Sequence, residues 1–422
     1  MTTLGAVSSI PLRPEAARTA DLVRARLIAV CASHAVVDLF SALVIPILSV
    51  LEGRLTLTPT QGAVLVALGS FCSGAVQPLV AWASDRFDTR LLGTLGFVLA
   101  VLAIGCVGFA RDYTQLVVIQ IVGAIGVGAF HPVSAAAVGQ LSGRRRSAGV
   151  AAFFTAGMIG GIAGFWGAPA FVRDFGVEAY AWLIPGGLVF CGVLAWASHG
   201  VPHRTRGAGD EHAALSADER RRRWWAVGVL YTGNMLRFTV NMALVYLLIR
   251  WAEDLALARA GATELTPALR SAASQINGPM QAAMAVGMGV SGLAAGLVRT
   301  HHEKLMLVLV PAVGAIAVAA FPHAGTGQAW ILAMLAGVAY AGVIPITISL
   351  AQRLLPHRTS LASGLMMGGA WAPAAAGAPI AEWLVNRTGL ETAFHVVAGM
   401  LLLAALTGMV LSGKLIRRTA GA

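Results

Sequence analysis

The chain has 422 residues, of which 57% are hydrophobic and only 12% are charged. An ordinary soluble domain carries about 25% charged residues, so this composition excludes a water-soluble globular fold. The net charge of +11 would raise the question of nucleic acid in a soluble protein, but here the basic residues lie in short runs between apolar segments. We therefore predict an integral membrane protein without a nucleic-acid partner.

Twelve apolar segments of membrane length follow one another along the chain, each near the roughly 20 residues that cross a bilayer. In the first half they are residues 26–50, 60–83, 91–110, 114–138, 148–170 and 179–199. In the second half they are residues 225–249, 276–298, 304–322, 329–350, 361–384 and 392–412. These spans are too long for barrel strands, and they predict an all-α polytopic protein of two six-helix bundles.

The positions of the basic residues predict the orientation of the spans. With a cytoplasmic N-terminus, most of the 30 Lys and Arg residues fall in cytoplasmic segments, as the positive-inside rule requires. The predicted organisation is a cytoplasmic tail, a bundle, a cytoplasmic linker, a second bundle and a second cytoplasmic tail, at residues 1–23, 24–199, 200–223, 224–413 and 414–422. The charged segment 251–275 reads as an external loop with one short surface helix.

Ionisable residues inside a span are costly and therefore point to function. His34 and Asp38 lie four residues apart in the first span, which places them on one helical face. Arg237 lies in the seventh span, and His131 in the fourth. From the helical rise, Asp38 and Arg237 are both about 18 Å deep, whereas His34 and His131 lie about 10 to 12 Å deep.

These depths predict that Asp38 and Arg237 face each other, or a shared anionic substrate, between the two halves. His34 and His131 would then form a proton or substrate site below them, and Asp38, His34 and His131 are the candidates for proton coupling. Asn234, Asn241 and Tyr340 are further candidates for contact with the substrate, and no residue is assigned to a metal.

Structural roles remain open for several of these residues. His34 is equally suited to bonding a backbone carbonyl, and His131 to filling the hydrogen-bonding gap that Pro132 leaves. Glu382, near the end of the eleventh span, reads as a residue of the membrane–water interface. No catalytic cluster and no phosphate-binding loop is evident, so we predict neither an enzyme nor a cofactor.

Several short motifs carry a resemblance to a known family. They are Ser33-His34 with Asp38 and Pro46, Gln61-Gly62, Gln77-Pro78, Asp85-Arg86, Gly126 with Phe130-His131-Pro132, Gly143-Arg144, Arg237, Ala351-Gln352, Leu355-Pro356 and Ser363-Gly364. With these motifs the chain resembles the major facilitator superfamily, and within it the fosmidomycin-resistance family. The resemblance implies the major facilitator fold with twelve helices, alternating access and proton-driven efflux. It also implies that Asp85 and Arg86, with Arg90 beside them, form a gating loop at the inner face.

Residues and resemblance together predict a proton-coupled exporter of a small polar or amphiphilic organic compound in a bacterial inner membrane. Its partners would be the substrate, protons and the lipid bilayer, and a monomer would suffice for a carrier with two halves. Two alternatives stay open. One is an importer or facilitator of a small organic anion attracted by Arg237, and the other is a metal ion exporter that uses His34, Asp38 and His131.

Overall fold

The computed structural model describes residues 14–84, 87–142, 146–199, 201, 216–355 and 358–420, and every regular element in these ranges is helical. Asp85 and Arg86 of the predicted gating loop lie outside the described residues, as do Gly143 and Arg144. Arg90 is the first residue of its helix, but its side chain is not described.

The first half contains seven helices. They are α1 (Pro14–Ser41), α2 (Leu48–Arg54), α3 (Pro59–Ser84), α4 (Arg90–Gly105), α5 (Tyr113–Leu141), α6 (Arg146–Phe175) and α7 (Ile184–His199). Pro46 lies in the short 3-10 turn Ile45–Ile47 that separates α1 from α2. Because proline has no backbone N–H and clashes with the preceding turn, it ends the continuous helix there.

The second half begins with two long helices, α8 (Ala217–Ala260) and α9 (Pro267–Ala295). It continues with α10 (Glu303–Ala320), α11 (Thr326–Ala341), α12 (Ile344–Leu354), α13 (Thr359–Gly364), α14 (Ala370–Ala374), α15 (Gly377–Thr388), α16 (Leu390–Val410) and α17 (Gly413–Ala420). A π-helical turn, Leu365–Gly369, connects α13 to α14.

The predicted external loop 251–275 is wrong in extent. α8 continues through residues 251–260 and ends at Gly261, whose φ of 60° favours glycine, and α9 starts only a few residues later. The extra turns are helical because Trp251, Ala252 and Ala256 are buried in the core. At the other end, Ser216 caps α8 by accepting from the Glu219 N–H, so the helix begins inside the predicted linker.

Nine helical segments of the described chain are long and apolar enough to cross a membrane. Three of the twelve predicted spans are not among them, so length and hydropathy confirm a polytopic helical protein without confirming the count of twelve. The third predicted span, residues 91–110, corresponds to the shorter apolar helix Leu91–Gly105. The eighth, α9, carries polar residues such as Asn277 and Gln281, and the eleventh is broken into short helices.

The two halves meet along two sets of helices. α6 packs against α9, and α3 packs against α14 and α15. Small residues allow these backbones to approach closely, since an added Cβ at Gly74 of α3 would lie 3.0 Å from the Ala372 backbone nitrogen. An added Cβ at Gly278 of α9 would likewise lie 2.5 Å from Cγ of Pro169.

Gly160 of α6 provides a test of this packing. A Cβ there would lie 2.6 Å from the carbonyl carbon of Ala35 in α1, whereas a Cβ at the neighbouring Gly161 would meet nothing within 4 Å. Overpacking of this kind costs about 1 to 3 kcal/mol. We expect Gly160→Ala to lower the midpoint of thermal unfolding of the detergent-solubilised protein and Gly161→Ala to leave it unchanged. Equal midpoints for the two variants would contradict the packing described for α1 and α6.

Candidate functional site

Asp38 lies between two histidines in the first half. Its Oδ2 is 3.2 Å from Nε2 of His34, one turn earlier on α1, and its Oδ1 is 3.3 Å from Nε2 of His131 on α5. The structure therefore brings together the three residues that the sequence grouped. We call them the Asp38 triad.

Both imidazoles of the triad are held by backbone carbonyls at their second nitrogen. His34 Nδ1 lies 2.7 Å from the carbonyl oxygen of Phe153 on α6, and His131 Nδ1 lies 2.8 Å from that of Val127. A carbonyl oxygen only accepts, so each Nδ1 carries a hydrogen and donates it. In neutral histidine the Nε2 atoms that face Asp38 are then bare lone pairs. The structural roles considered for both histidines thus coexist with their contact to the acid.

α6 closes one side of the triad. The ring of Phe153 stacks on His34 with a centroid separation of 3.8 Å. One turn further along α6, a Cβ at Gly157 would lie 2.6 Å from Asp38 Oδ2 and would also collide with the His34 ring. Gly157 is therefore required for α6 to approach the triad.

The members of the triad differ in exposure. The His34 side chain is 2% exposed, whereas Asp38 and His131 retain 23% and 24% of their side-chain surface. One carboxylate face can therefore be reached by a ligand or by water, while His34 is sealed behind aromatic rings. A group that enters the site would meet Asp38 and His131 first.

Arg237 lies in different surroundings. The side chain is buried, one guanidinium nitrogen donates to Asn234, and its Nε has no hydrogen-bond partner among the described residues. A small void beside it is lined by residues of α8, α10 and α16, including Leu307 and Thr407. The guanidinium is thus directed into its own half.

Asp38 and Arg237, which were predicted to face each other between the halves, lie in separate surroundings in the described structure. Asp38 is within ion-pair distance of two histidines of the first half, and no carboxylate of the described residues lies within ion-pair distance of Arg237. Equal depth does not determine the direction in which a side chain leaves its helix, and this is why the prediction failed. The alternative, in which both residues meet a shared substrate, stays a prediction.

The other candidates for substrate contact are distributed around α8. Asn234 donates from Nδ2 to Thr347 Oγ1 at 3.0 Å and to the Met366 carbonyl at 2.9 Å, so it links α8 to α12 and the π-helical turn. Tyr340 is buried, with its ring 5.3 Å from that of Phe238. Asn241 lies 3.8 Å from the sulfur of Met284 on α9. Asn234, Asn241 and Tyr340 therefore each contact different neighbours in the described structure.

A cluster of four charged residues bridges the two halves and was missed by the sequence analysis. Glu52 at the end of α2 pairs with Arg250 of α8, which also binds Glu253 at 2.6 Å. Arg270 of α9 lies 3.8 Å from Glu52 and 3.7 Å from Glu253. Both acids are nearly buried, at 2% and 4% exposure. We call these four residues the ionic cluster.

Neighbouring contacts across the halves extend the ionic cluster. Ser49 donates to Glu253 and accepts from Arg270 through its carbonyl, while the Tyr246 hydroxyl donates to the Pro59 carbonyl at 3.3 Å. Glu382 accepts from Thr60 Oγ1 at 2.8 Å and is buried, and its place at the membrane–water interface stays a prediction. The halves are therefore joined where α2 and the start of α3 meet α8, α9 and α15.

Two groups of side chains in the described structure have donor sets suited to a divalent metal ion. They are the Asp38 triad and the exposed group His323, Glu391 and His395, and in each the ligand atoms lie within 4.8 Å of one another. Two imidazoles and a carboxylate are ligands that zinc accepts. In the triad, both Nδ1–H groups also bond backbone carbonyls, as is common for metal-bound histidines.

Comparison with known sequences gives one curated relative along nearly the whole length. The chain is 22% identical over 407 residues to the fosmidomycin resistance protein of Escherichia coli (strain K12), which covers 94% of this chain and 96% of that protein. The relative's name records resistance to fosmidomycin, and its length matches the full two-halved chain.

Solved structures with the same fold are transporters. A bacterial homologue of the human lysosomal transporter Spinster, in an inward-facing conformation, superposes with a TM-score of 0.60 at 13% identity, over 94% of this chain and 97% of that one. The nucleoside transporter NupG superposes with a TM-score of 0.65 at 11% identity, over 92% and 98%. At such identities these similarities establish the fold alone.

The sequence profile of the Major Facilitator Superfamily matches residues 30–367, which include the Asp38 triad, the ionic cluster and Arg237. This match extends across both halves and most of the chain, and it agrees with the helical fold and with the transporters that share it. The chain belongs to the Major Facilitator Superfamily, a family of membrane transporters.

Proposed function

We propose that this transporter is a proton-coupled exporter of a small polar or amphiphilic organic compound, with the Asp38 triad as its proton site. The observation that carries the proposal is the fixed orientation of the two histidines. With both Nδ1 atoms donating to carbonyls, each Nε2 faces a carboxylate oxygen at 3.2 or 3.3 Å. Without a shared proton, each of these contacts brings two lone pairs together.

The number of protons on the triad sets its charge and its repulsive contacts, and this suits the exchange of a proton for a substrate. With no added proton, it holds one negative charge and two repulsive contacts. One proton on either Nε2 makes the triad neutral and relieves one contact, and a second proton relieves the other. A substrate donor that reaches Asp38 from its exposed side competes with the proton on His131 for the same carboxylate oxygen. Such competition at one acid makes uptake of a proton and release of a substrate mutually dependent.

Arg237, with Asn234, Asn241 and Tyr340, is proposed to contact the substrate from the second half. The support is that a buried guanidinium without a carboxylate partner is energetically unfavourable, and an anionic or polar substrate group would relieve it. This step needs a rearrangement of α8, since the guanidinium is directed towards α10 and α16 in the described conformation.

The ionic cluster is proposed to hold the transporter closed at the face formed by the ends of α2 and α8. Glu52 comes from the first half, and Arg250, Glu253 and Arg270 come from the second. When the halves separate there, Glu52 loses both arginine partners at once. The cluster therefore opposes opening at this face. In the proposed orientation, with both termini in the cytoplasm, this face is the external one.

The coupling proposal predicts the behaviour of Asp38→Asn. In proteoliposomes with an imposed pH gradient, we expect substrate-driven proton movement to fall at least tenfold, because an amide cannot hold the shared proton. Fosmidomycin is the first probe, because of the relative's name. Asp174→Asn, which removes an exposed carboxylate bound to Arg173, is the matched control and should behave as wild type.

The direction of proton movement separates export from the importing alternative. Protons that move opposite to the substrate support the exporter, whereas movement in the same direction supports an importer. Substrate-driven proton movement of normal size in Asp38→Asn would remove Asp38 from the mechanism.

Metal export is the second candidate, because the triad presents two free Nε2 atoms and a carboxylate within 4.8 Å. If the triad binds metal, calorimetric titration with Zn²⁺ should give one site, and His131→Asn should weaken binding at least tenfold. All of these proteins also carry His395→Asn, so that the exposed group of His323, Glu391 and His395 no longer binds Zn²⁺. If the triad is a proton site, the His395→Asn protein shows no Zn²⁺ site that depends on His131.

The gate proposal predicts a conformational shift in Glu52→Gln. Loss of this charge leaves two partly buried arginines with one acid, so the closed state is destabilised. We expect about a tenfold rise in the open population, equivalent to about 1.4 kcal/mol. The measurement is the distance distribution between spin labels at Arg111 and Glu264 in a protein without its native cysteines.

A matched control is available on the same face. Glu178 pairs with Arg54 at 2.7 Å within the first half, so Glu178→Gln removes an ion pair without touching the interface between the halves. The control should leave the distance distribution unchanged. If Glu52→Gln also leaves it unchanged, the ionic cluster does not act as a gate.

A further inference from the structure

A cavity of about 430 Å³ lies in the second half, away from the interface between the halves. Its walls are the turn Thr300–His302, the first turns of α10, the end of α16 and the short helix α17. The residues that line it are Thr300, His301, Lys304, Leu305, Val308, Met409, Gly413 and Ile416. We call it the α10–α16 groove.

The polarity of the groove changes along its length. Thr300, His301 and Lys304 are at one end, where α10 begins, and Leu305, Val308 and Met409 form the rest of the wall. Val308 is one helical turn beyond Lys304, so the polar end of the groove and its apolar wall are about 6 Å apart along the helix. A ligand that fits must itself carry a polar head next to an apolar chain.

The groove opens towards lipid. Leu305 and Met409 are 52% and 57% exposed, and the neighbouring Leu309, Leu406 and Val410 on the same two helices are exposed as well. Exposed leucine, valine and methionine on helices that cross a membrane face acyl chains. The apolar part of the groove is therefore continuous with the hydrocarbon of the bilayer.

The polar end of the groove is positively charged. No carboxylate of the described residues lines it, and the neighbouring Glu303 is buried in an ion pair with Arg353 rather than with Lys304. Lys304 uses one donor for the Leu411 carbonyl at 2.7 Å, which leaves two of the three ammonium hydrogens for a ligand. Lys414 on α17 is exposed nearby and adds to the positive charge.

We propose that the α10–α16 groove binds one anionic phospholipid, with its phosphate at Lys304 and His301 and an acyl chain along Val308 and Met409. Basic pockets between membrane helices are suited to acidic head groups. The ligand is bound by the second half alone, so its binding does not depend on the coupling or gating proposed above.

Native mass spectrometry of the purified full chain tests the proposal. The protein is mixed with equal amounts of phosphatidylglycerol and phosphatidylcholine, and we expect one phosphatidylglycerol to be retained in preference. Lys304→Gln should reduce that retention about fivefold, the factor for one lysine charge at an anionic lipid surface. Arg111→Gln, which removes one exposed charge at a distant loop, should not change it.

A second variant keeps the test independent of Lys304. Val308→Trp fills the apolar part of the groove and should reduce retention at least fivefold, although every charge remains. Soluble glycerol phosphate at millimolar concentration should not displace the bound lipid. Equal retention of both lipids, retention unaffected by either variant, or displacement by glycerol phosphate would each overturn the proposal.

Discussion

The central constraint on this transporter is that one carboxylate is held between two imidazoles whose other nitrogens already donate to backbone carbonyls. The carbonyls of Phe153 and Val127 fix the ring orientations, so neither histidine can turn its N–H towards Asp38. The gap between them must be filled by a proton, a metal ion or a donor group of a ligand. Helices α1, α5 and α6 pack around the Asp38 triad. The missing side chain of Gly157 leaves the space that Asp38 and the His34 ring occupy.

The roles proposed for the Asp38 triad and the ionic cluster belong to different parts of the fold. The triad is built from the first half alone, so its geometry survives a movement of one half against the other. The ionic cluster is shared by both halves and cannot survive such a movement intact. The proposed proton site and the proposed gate are therefore physically separate, and coupling between them would require a ligand that contacts both halves.

Sequence reasoning succeeded where one helix determines the geometry. The spacing of His34 and Asp38 placed them on one face, and similar depth brought His131 to the same layer. It failed for Asp38 and Arg237, because depth says nothing about rotation about the helix axis. It missed the ionic cluster because Glu52 and Arg250 lie 198 residues apart and outside the apolar windows that drew attention to buried charge. It read 251–275 as a loop from its charges, although Glu253 is neutralised by Arg250 in the folded chain.

The failed pairing also bears on how the second half contributes. Arg237 and Asp38 lie on the first long helix of their respective halves. Within the described part of the chain the acid has two histidine partners, and the guanidinium bonds one neutral amide. The buried positive charge is thus the less satisfied of the two. Asn234 connects this guanidinium to Thr347 and Met366, on segments that a proline and a π-helical turn interrupt. Interrupted helices change shape more readily than continuous ones, so the place where Arg237 is least satisfied is also where the second half is most able to rearrange around a substrate.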